Sequence, residues 1–113
     1  MKVKMQMKKR IDAFSKALDE RRFYDAHEEL EVLWFPHRFE ENNAEMQLLK
    51  GFINAAVSFE LLQRGRRHAS NKVWKNYLKY RQLLFCIDSP HKNNYYQLMR
   101  KVDALHITVC NLL

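Results

Sequence analysis

Apolar positions recur along this chain with a helical period almost from end to end. Met7, Ile11, Phe14 and Leu18 fall three or four residues apart, which predicts a first helix from about Met5 to Glu20. Arg21 and Arg22 form a short link. Phe23, Ala26, Leu30, Leu33 and Trp34 then make the apolar arc of a second helix, about Tyr24 to Trp34. Pro36 breaks it, so Phe35 to Asn43 reads as a loop, with Asn42 and Asn43 suited to cap the next helix. The stretch from about Ala44 to Arg64 differs in kind. Leu49, Phe52, Ile53, Ala56, Phe59 and their neighbours point nearly all the way round, and only Gln47, Lys50, Asn54 and Ser58 form a narrow polar stripe. A helix apolar on most sides has to be surrounded by others. Gly51 would let one of those neighbours approach closely, and Gly65 is placed to end the helix in a left-handed cap.

Two more helices complete the pattern. One runs from about His68 to Phe85, with Val73, Trp74, Tyr77, Leu78, Tyr80, Leu84 and Phe85 as its buried side. Asp88-Ser89-Pro90 reads as a stop and restart, with Ser89 as a cap and Pro90 in a first turn. The last helix covers about Asn93 to Leu112, on the stripe Leu98, Val102, Leu105, Val109 and Leu112. The expectation is an all-α fold: a compact bundle of about five helices with one central apolar helix, residues 44–64, surrounded by the others in a single helical domain, 1–113.

Composition sharpens this picture. Only two Gly and two Pro among 113 residues leave few places to break a helix. No apolar run approaches the roughly 20 residues of a membrane span, so no membrane partner is expected. The basic start of the chain has no apolar signal core behind it. Cys86 and Cys110 stand without a Cys-x-x-Cys or a His/Cys cluster, and read as reduced, buried thiols of a cytoplasmic protein. Net charge is +7 and uneven: residues 19–45 hold nine acids against three basic groups, while residues 61–87 hold seven basic groups and no acid. Such asymmetry suits an anionic partner, or two complementary faces that meet inside a bundle or a dimer.

Candidate chemistry centres on the second helix. His27, Glu31 and Trp34 share one side of it, with the imidazole and carboxylate one turn apart at the rim of the apolar arc. Glu60 points into an apolar arc of the third helix and would need a partner or a raised pKa there; His27 or an Arg from another helix could supply one, unless Glu60 surfaces near Gly65. Together with Lys50, these residues could line one polar pocket for a small ligand or a protein partner. They could equally form a structural pair. An enzyme would use His27 as general base with Glu31 orienting it, but no nucleophile is evident. His27-Glu28-x-x-Glu31 lacks the second His of a zinc motif, so neither metal nor cofactor is expected. A nucleic-acid module would use Lys72, Lys75 and Lys79, with Trp74, Tyr77 and Tyr80 interleaved as stacking side chains.

Two blocks carry a resemblance. Tyr24-Asp-Ala-His-Glu-Glu-Leu-Glu-Val-Leu-Trp34, and Leu49 through Gly65, resemble the domain of unknown function family 309, whose hallmark His-x-x-x-Glu-x-x-Trp is matched by His27, Glu31 and Trp34. The likeness covers roughly residues 12 to 86 and implies a compact all-α fold around a central helix; it implies no particular activity. The chain departs from the family pattern at Phe35, where an Arg is common, at Lys50, where a Gln is common, and at Glu60, where a His is common. Those exchanges alter the charge around the candidate pocket.

Overall fold

The structure, a computed structural model, describes the backbone of residues 2–112 and the side chains of residues 6–110. Five α-helices follow in order: α1 (Lys2–Asp19), α2 (Phe23–Trp34), α3 (Ala44–Gln63), α4 (Arg67–Arg81) and α5 (Lys92–Leu112). Short 3-10 turns at Phe35–His37 and Gln82–Phe85 close α2 and α4. Among the described residues there is no strand.

Helix α3 lies at the centre. Leu49, Phe52, Ala56 and Phe59 are wholly buried and Ile53 nearly so. The organising contacts are two phenylalanine rings two turns apart on one side of α3. Phe52 meets Phe14 of α1 with ring centroids 6.2 Å apart, Tyr77 of α4 at 5.9 Å and Tyr95 of α5 at 6.2 Å. Phe59 meets Phe23 of α2 at 5.2 Å, Trp74 of α4 at 5.8 Å and His106 of α5 at 6.4 Å. Every other helix therefore reaches α3 through an aromatic ring.

The caps show why the chain turns where it does. The side chain of Asn43 accepts a hydrogen bond from the Met46 backbone N–H at 3.2 Å, the N-cap arrangement. At the other end Gly65 has φ +76°, with Gly65 N–H bonded to Leu62 O and Arg66 N–H to Leu61 O. That is a Schellman ending, which satisfies two orphan carbonyls of α3. Helix α1 closes in the same way through Arg21 at φ 60°, a conformation that costs a non-glycine residue roughly 1 kcal/mol.

Polar bonds clasp α5 onto the rest. Tyr95 and Ser89 both donate to Glu45 Oε2, at 2.6 and 2.8 Å. Tyr77 and Arg81 of α4 donate to the two oxygens of Asp103, each at 2.9 Å. Lys101 reaches Asp19 of α1 at 2.8 Å.

Several sequence expectations need correction. The regular helix of α4 stops at Arg81, and the tighter turn after it buries Leu84 but swings Phe85 outward, where it is 62 % exposed and meets Tyr96 edge-on. Leu78 is also on the outer side. Ser58 is buried rather than part of the polar stripe; its carbonyl accepts from Ser70 Oγ at 2.7 Å where α3 meets α4. Both cysteines are exposed, not buried: Cys110 stands one position round the helix from the buried Val109, and Cys86 follows the exposed Phe85. Ser89 does not cap α5: its hydroxyl accepts from His91 N–H within the preceding turn, and α5 begins only at Lys92, so Pro90 also precedes the first helical turn. The Leu112 side chain lies outside the described residues.

Gly51 marks the closest approach of α3 and α4. A Cβ built there would stand 2.8 Å from Tyr80 Cβ, which is rooted in the α4 backbone and cannot swing away. In an open helix Gly→Ala would gain about 1 kcal/mol of propensity. Here Gly51→Ala should instead destabilise by about 1–2 kcal/mol, because separating two packed helices outweighs that gain. Urea denaturation reads the sign; a stabilised variant would refute the close contact.

A second expectation concerns alkaline pH. Burial, reinforced by the carboxylates of Asp103 and Glu45, pushes the Tyr77 and Tyr95 phenols far above their ordinary range. The folded state thus holds these protons where the unfolded chain, with phenols near pKa about 10, releases them. Their contribution is complete below that pH and is lost as pH rises through it. The free energy of unfolding should fall above about pH 10, and Tyr77→Phe with Tyr95→Phe should flatten the fall, as followed by helical circular dichroism.

Candidate functional site

The side of α3 opposite Phe52 and Phe59 carries Lys50, Asn54, Val57 and Leu61, all half-buried. Helices α2 and α4 flank this side. Both run antiparallel to α3: Phe23 lies by Phe59 while Trp34 lies by Lys50, and Ser70 lies by Ser58 while Tyr80 lies by Gly51.

His27, Glu31 and Trp34 form one row along α2, as their spacing requires. His27 is mostly buried, its side chain 16 % exposed, and its Nε2 stands 3.4 Å from Glu31 Oε2. That separation is longer than the about 2.7–2.9 Å of a good charged hydrogen bond. Tyr24 packs edge-on against the imidazole at 4.9 Å. The other ring nitrogen, Nδ1, is turned inward without a hydrogen-bond partner. The two nitrogens thus differ: Nε2 faces the half-exposed Glu31, and Nδ1 is enclosed.

Trp34 and Lys50 come together across the α2–α3 contact. The Lys50 ammonium lies 5.8 Å from the Trp34 ring centroid and 5.6 Å from that of Tyr80. Lys79 brings a second ammonium to the same tyrosine, at 5.2 Å. These distances are within the range of cation–π attraction. Among the described residues neither lysine has a carboxylate within ion-pair reach. Asn54 continues the row; its amide donates to Lys50 O at 2.7 Å, and Asn76 of α4 donates to its oxygen at 3.4 Å.

Glu60 does not join this group. It lies ten residues beyond Lys50 on α3, about 15 Å along the helix. Its side chain is 16 % exposed, and its partner is Arg64 on the next turn, at 2.9 Å. Neither His27 nor an arginine of another helix supplies that partner. The helix end leaves room for Arg64 to fold back, which spacing alone did not reveal.

The stacking side chains expected for nucleic acid also divide. Lys72, Lys75 and Lys79 are exposed, but Tyr77 is wholly buried, and Trp74 packs on Phe59 and lies flat against His106. Of the three, Trp74 and Tyr80 are half-buried, and Trp74 has its ring face taken by His106. The residue that sequence reasoning left out of the site is Tyr80, which links Lys50 to Lys79 only because α4 packs on Gly51. Among the described residues no three His, Cys, Asp or Glu side chains come together in a way that could hold a metal ion. Among the described residues no helix is long and apolar enough to cross a membrane.

The fold is a small all-α bundle, a buried aromatic-bearing helix wrapped by four others, with His27, Glu31 and Trp34 in a row at its flank. The family model described as domain of unknown function (DUF309) matches residues 11–73, more than half of the chain, and the chain belongs to that family. The matched stretch contains His27, Glu31, Trp34, Lys50 and Glu60 but ends before Tyr80 and Lys79. No curated protein and no solved structure matches the chain.

The His27–Glu31 geometry yields a stability expectation. Glu31 is half-exposed and the contact is loose, so the pair contributes no more than about 0.3–0.5 kcal/mol. Glu31→Gln should lower stability by no more than that in urea denaturation. A loss above about 1.5 kcal/mol would mean the carboxylate is held far more tightly than its exposure implies.

Proposed function

We propose that this chain is a one-domain cytoplasmic binding protein, not a catalyst, and that its α2–α3–α4 face takes a small ligand bearing a carboxylate or phosphate group. The observation that carries this reading is the meeting of two lysine ammoniums, Lys50 and Lys79, at the Tyr80 ring, with no carboxylate partner for either among the described residues. The ammoniums lie 5.6 and 5.2 Å from the centroid of the same ring without a carboxylate counter-ion, and positive charge left unneutralised around one ring attracts an anion to it. Trp34 supplies an apolar wall, and Glu31, one turn earlier on α2, supplies an acceptor for a donor elsewhere on the ligand. The exposed, unpaired thiols suit a reducing compartment.

The enclosure of His27 argues against the acid–base alternative. The burial of Tyr77 and the stacking of Trp74 on His106 weaken the aromatic support for the nucleic-acid alternative.

The test is an NMR titration of the isotopically labelled protein with inorganic phosphate and with acetate. The reading expects shifts concentrated at the Trp34 indole, Lys50, Asn54 and Tyr80. Lys50→Met should weaken binding about tenfold, the equivalent of one charge-assisted hydrogen bond. Shifts confined to Lys72 and Lys75, or none at millimolar anion, would overturn it.

A further inference from the structure

The two exposed cysteines stand in different chemical surroundings. Cys110 Sγ lies 3.5 Å from Nε2 of His106, one turn earlier on α5. The imidazole is held rather than free to swing: it lies flat on the Trp74 indole, with ring centroids 3.7 Å apart and planes 4° apart, and Phe59 of α3 packs beside it. Burial lowers the His106 pKa, partly opposed by Asp103 on the same helix, the one charged group among the described residues that acts on it. At neutral pH the ring is therefore unprotonated, and a fixed nitrogen is available to accept the thiol proton. Cys86 lacks this arrangement. It lines an open hollow of about 720 Å³ with Glu40, Glu41, Glu45 and Asp88, a negative setting with no imidazole on its wall.

We infer that Cys110, with His106 as its proton acceptor, is a modification site for small disulfides, forming a mixed disulfide by thiol–disulfide exchange. In the exchange the Cys110 S–H proton passes to His106 Nε2 as the sulfur attacks one sulfur of the disulfide. A new S–S bond forms while the old one breaks. The departing thiolate takes up the proton from His106 and leaves as a thiol, so oxidation of Cys110 is matched by reduction of half the reagent. A free thiol is only a few per cent ionised near neutral pH, so a positioned base has about tenfold or more to gain. This site lies at the α4–α5 contact, apart from the lysine pair, and stands independently of it.

The experiment treats the folded protein with glutathione disulfide, and separately with neutral iodoacetamide, and follows each cysteine by peptide mass spectrometry. Cys110 should react about tenfold faster than Cys86 with both reagents. His106→Phe keeps a ring against Trp74 but removes the base; it should bring the Cys110 rate down to that of Cys86 without changing the Cys86 rate. Equal rates in the unaltered protein, or a Cys110 rate untouched by His106→Phe, would overturn the inference. If that variant loses its helical circular dichroism, the ratio of the two rates in the unaltered protein decides the matter alone.

Discussion

The structure depends on the packing around Phe52 and Phe59. Both rings project from one side of α3, and between them they touch a ring from each of the other four helices. Large buried aromatics contribute both area and geometry, since tilted and edge-on contacts tolerate little displacement. With one side of α3 committed to these rings, its opposite side is left to face the gap between α2 and α4. That is why Lys50 and Asn54 are half-buried rather than solvated, and why a lysine ammonium ends between a tryptophan and a tyrosine. The candidate site is thus a consequence of the core, not an addition to it.

The same constraint explains where polar bonds are needed. Helix α5 meets the rings of α3 through Tyr95 and His106 and buries Leu98, Val102 and Val109 in the core, and side-chain bonds involving Glu45, Asp103 and Asp19 add to that hold. Those at Glu45 and Asp103 are partly buried, where a satisfied charged hydrogen bond stabilises and a broken one costs more than it gave; the Lys101–Asp19 bond is exposed and contributes little. Placing His106 at this junction flattens it against Trp74 and aims one nitrogen at Cys110. A side chain that looked ordinary by spacing acquires a chemical neighbour through helix packing.

Much of this was legible in the sequence. The all-apolar character of residues 44–64 forced a central helix, and Gly51 and Gly65 announced a close approach and a cap. Local rules sufficed because each acts within one or two turns. The row His27, Glu31 and Trp34 was legible for the same reason. What sequence could not provide was contact between helices. Tyr80 belongs with Lys50 only through the register of α4 on α3, and Glu60 turns to Arg64 because the helix end leaves Arg64 free to fold back. The exposure of the cysteines was misread because a thiol is small enough to sit on either side of an amphipathic boundary. The outward swing of Phe85 comes from a 3-10 turn that apolar spacing does not distinguish from a regular helix.

Native-state hydrogen exchange tests the central claim most directly. If α3 is the element on which the others depend, its amides between Phe52 and Phe59 can open only when the whole molecule unfolds. Their opening free energies should then equal the global unfolding free energy, and exceed those of α1 and α5. Exchange of the α3 amides at lower free energy than those of α5 would contradict the account.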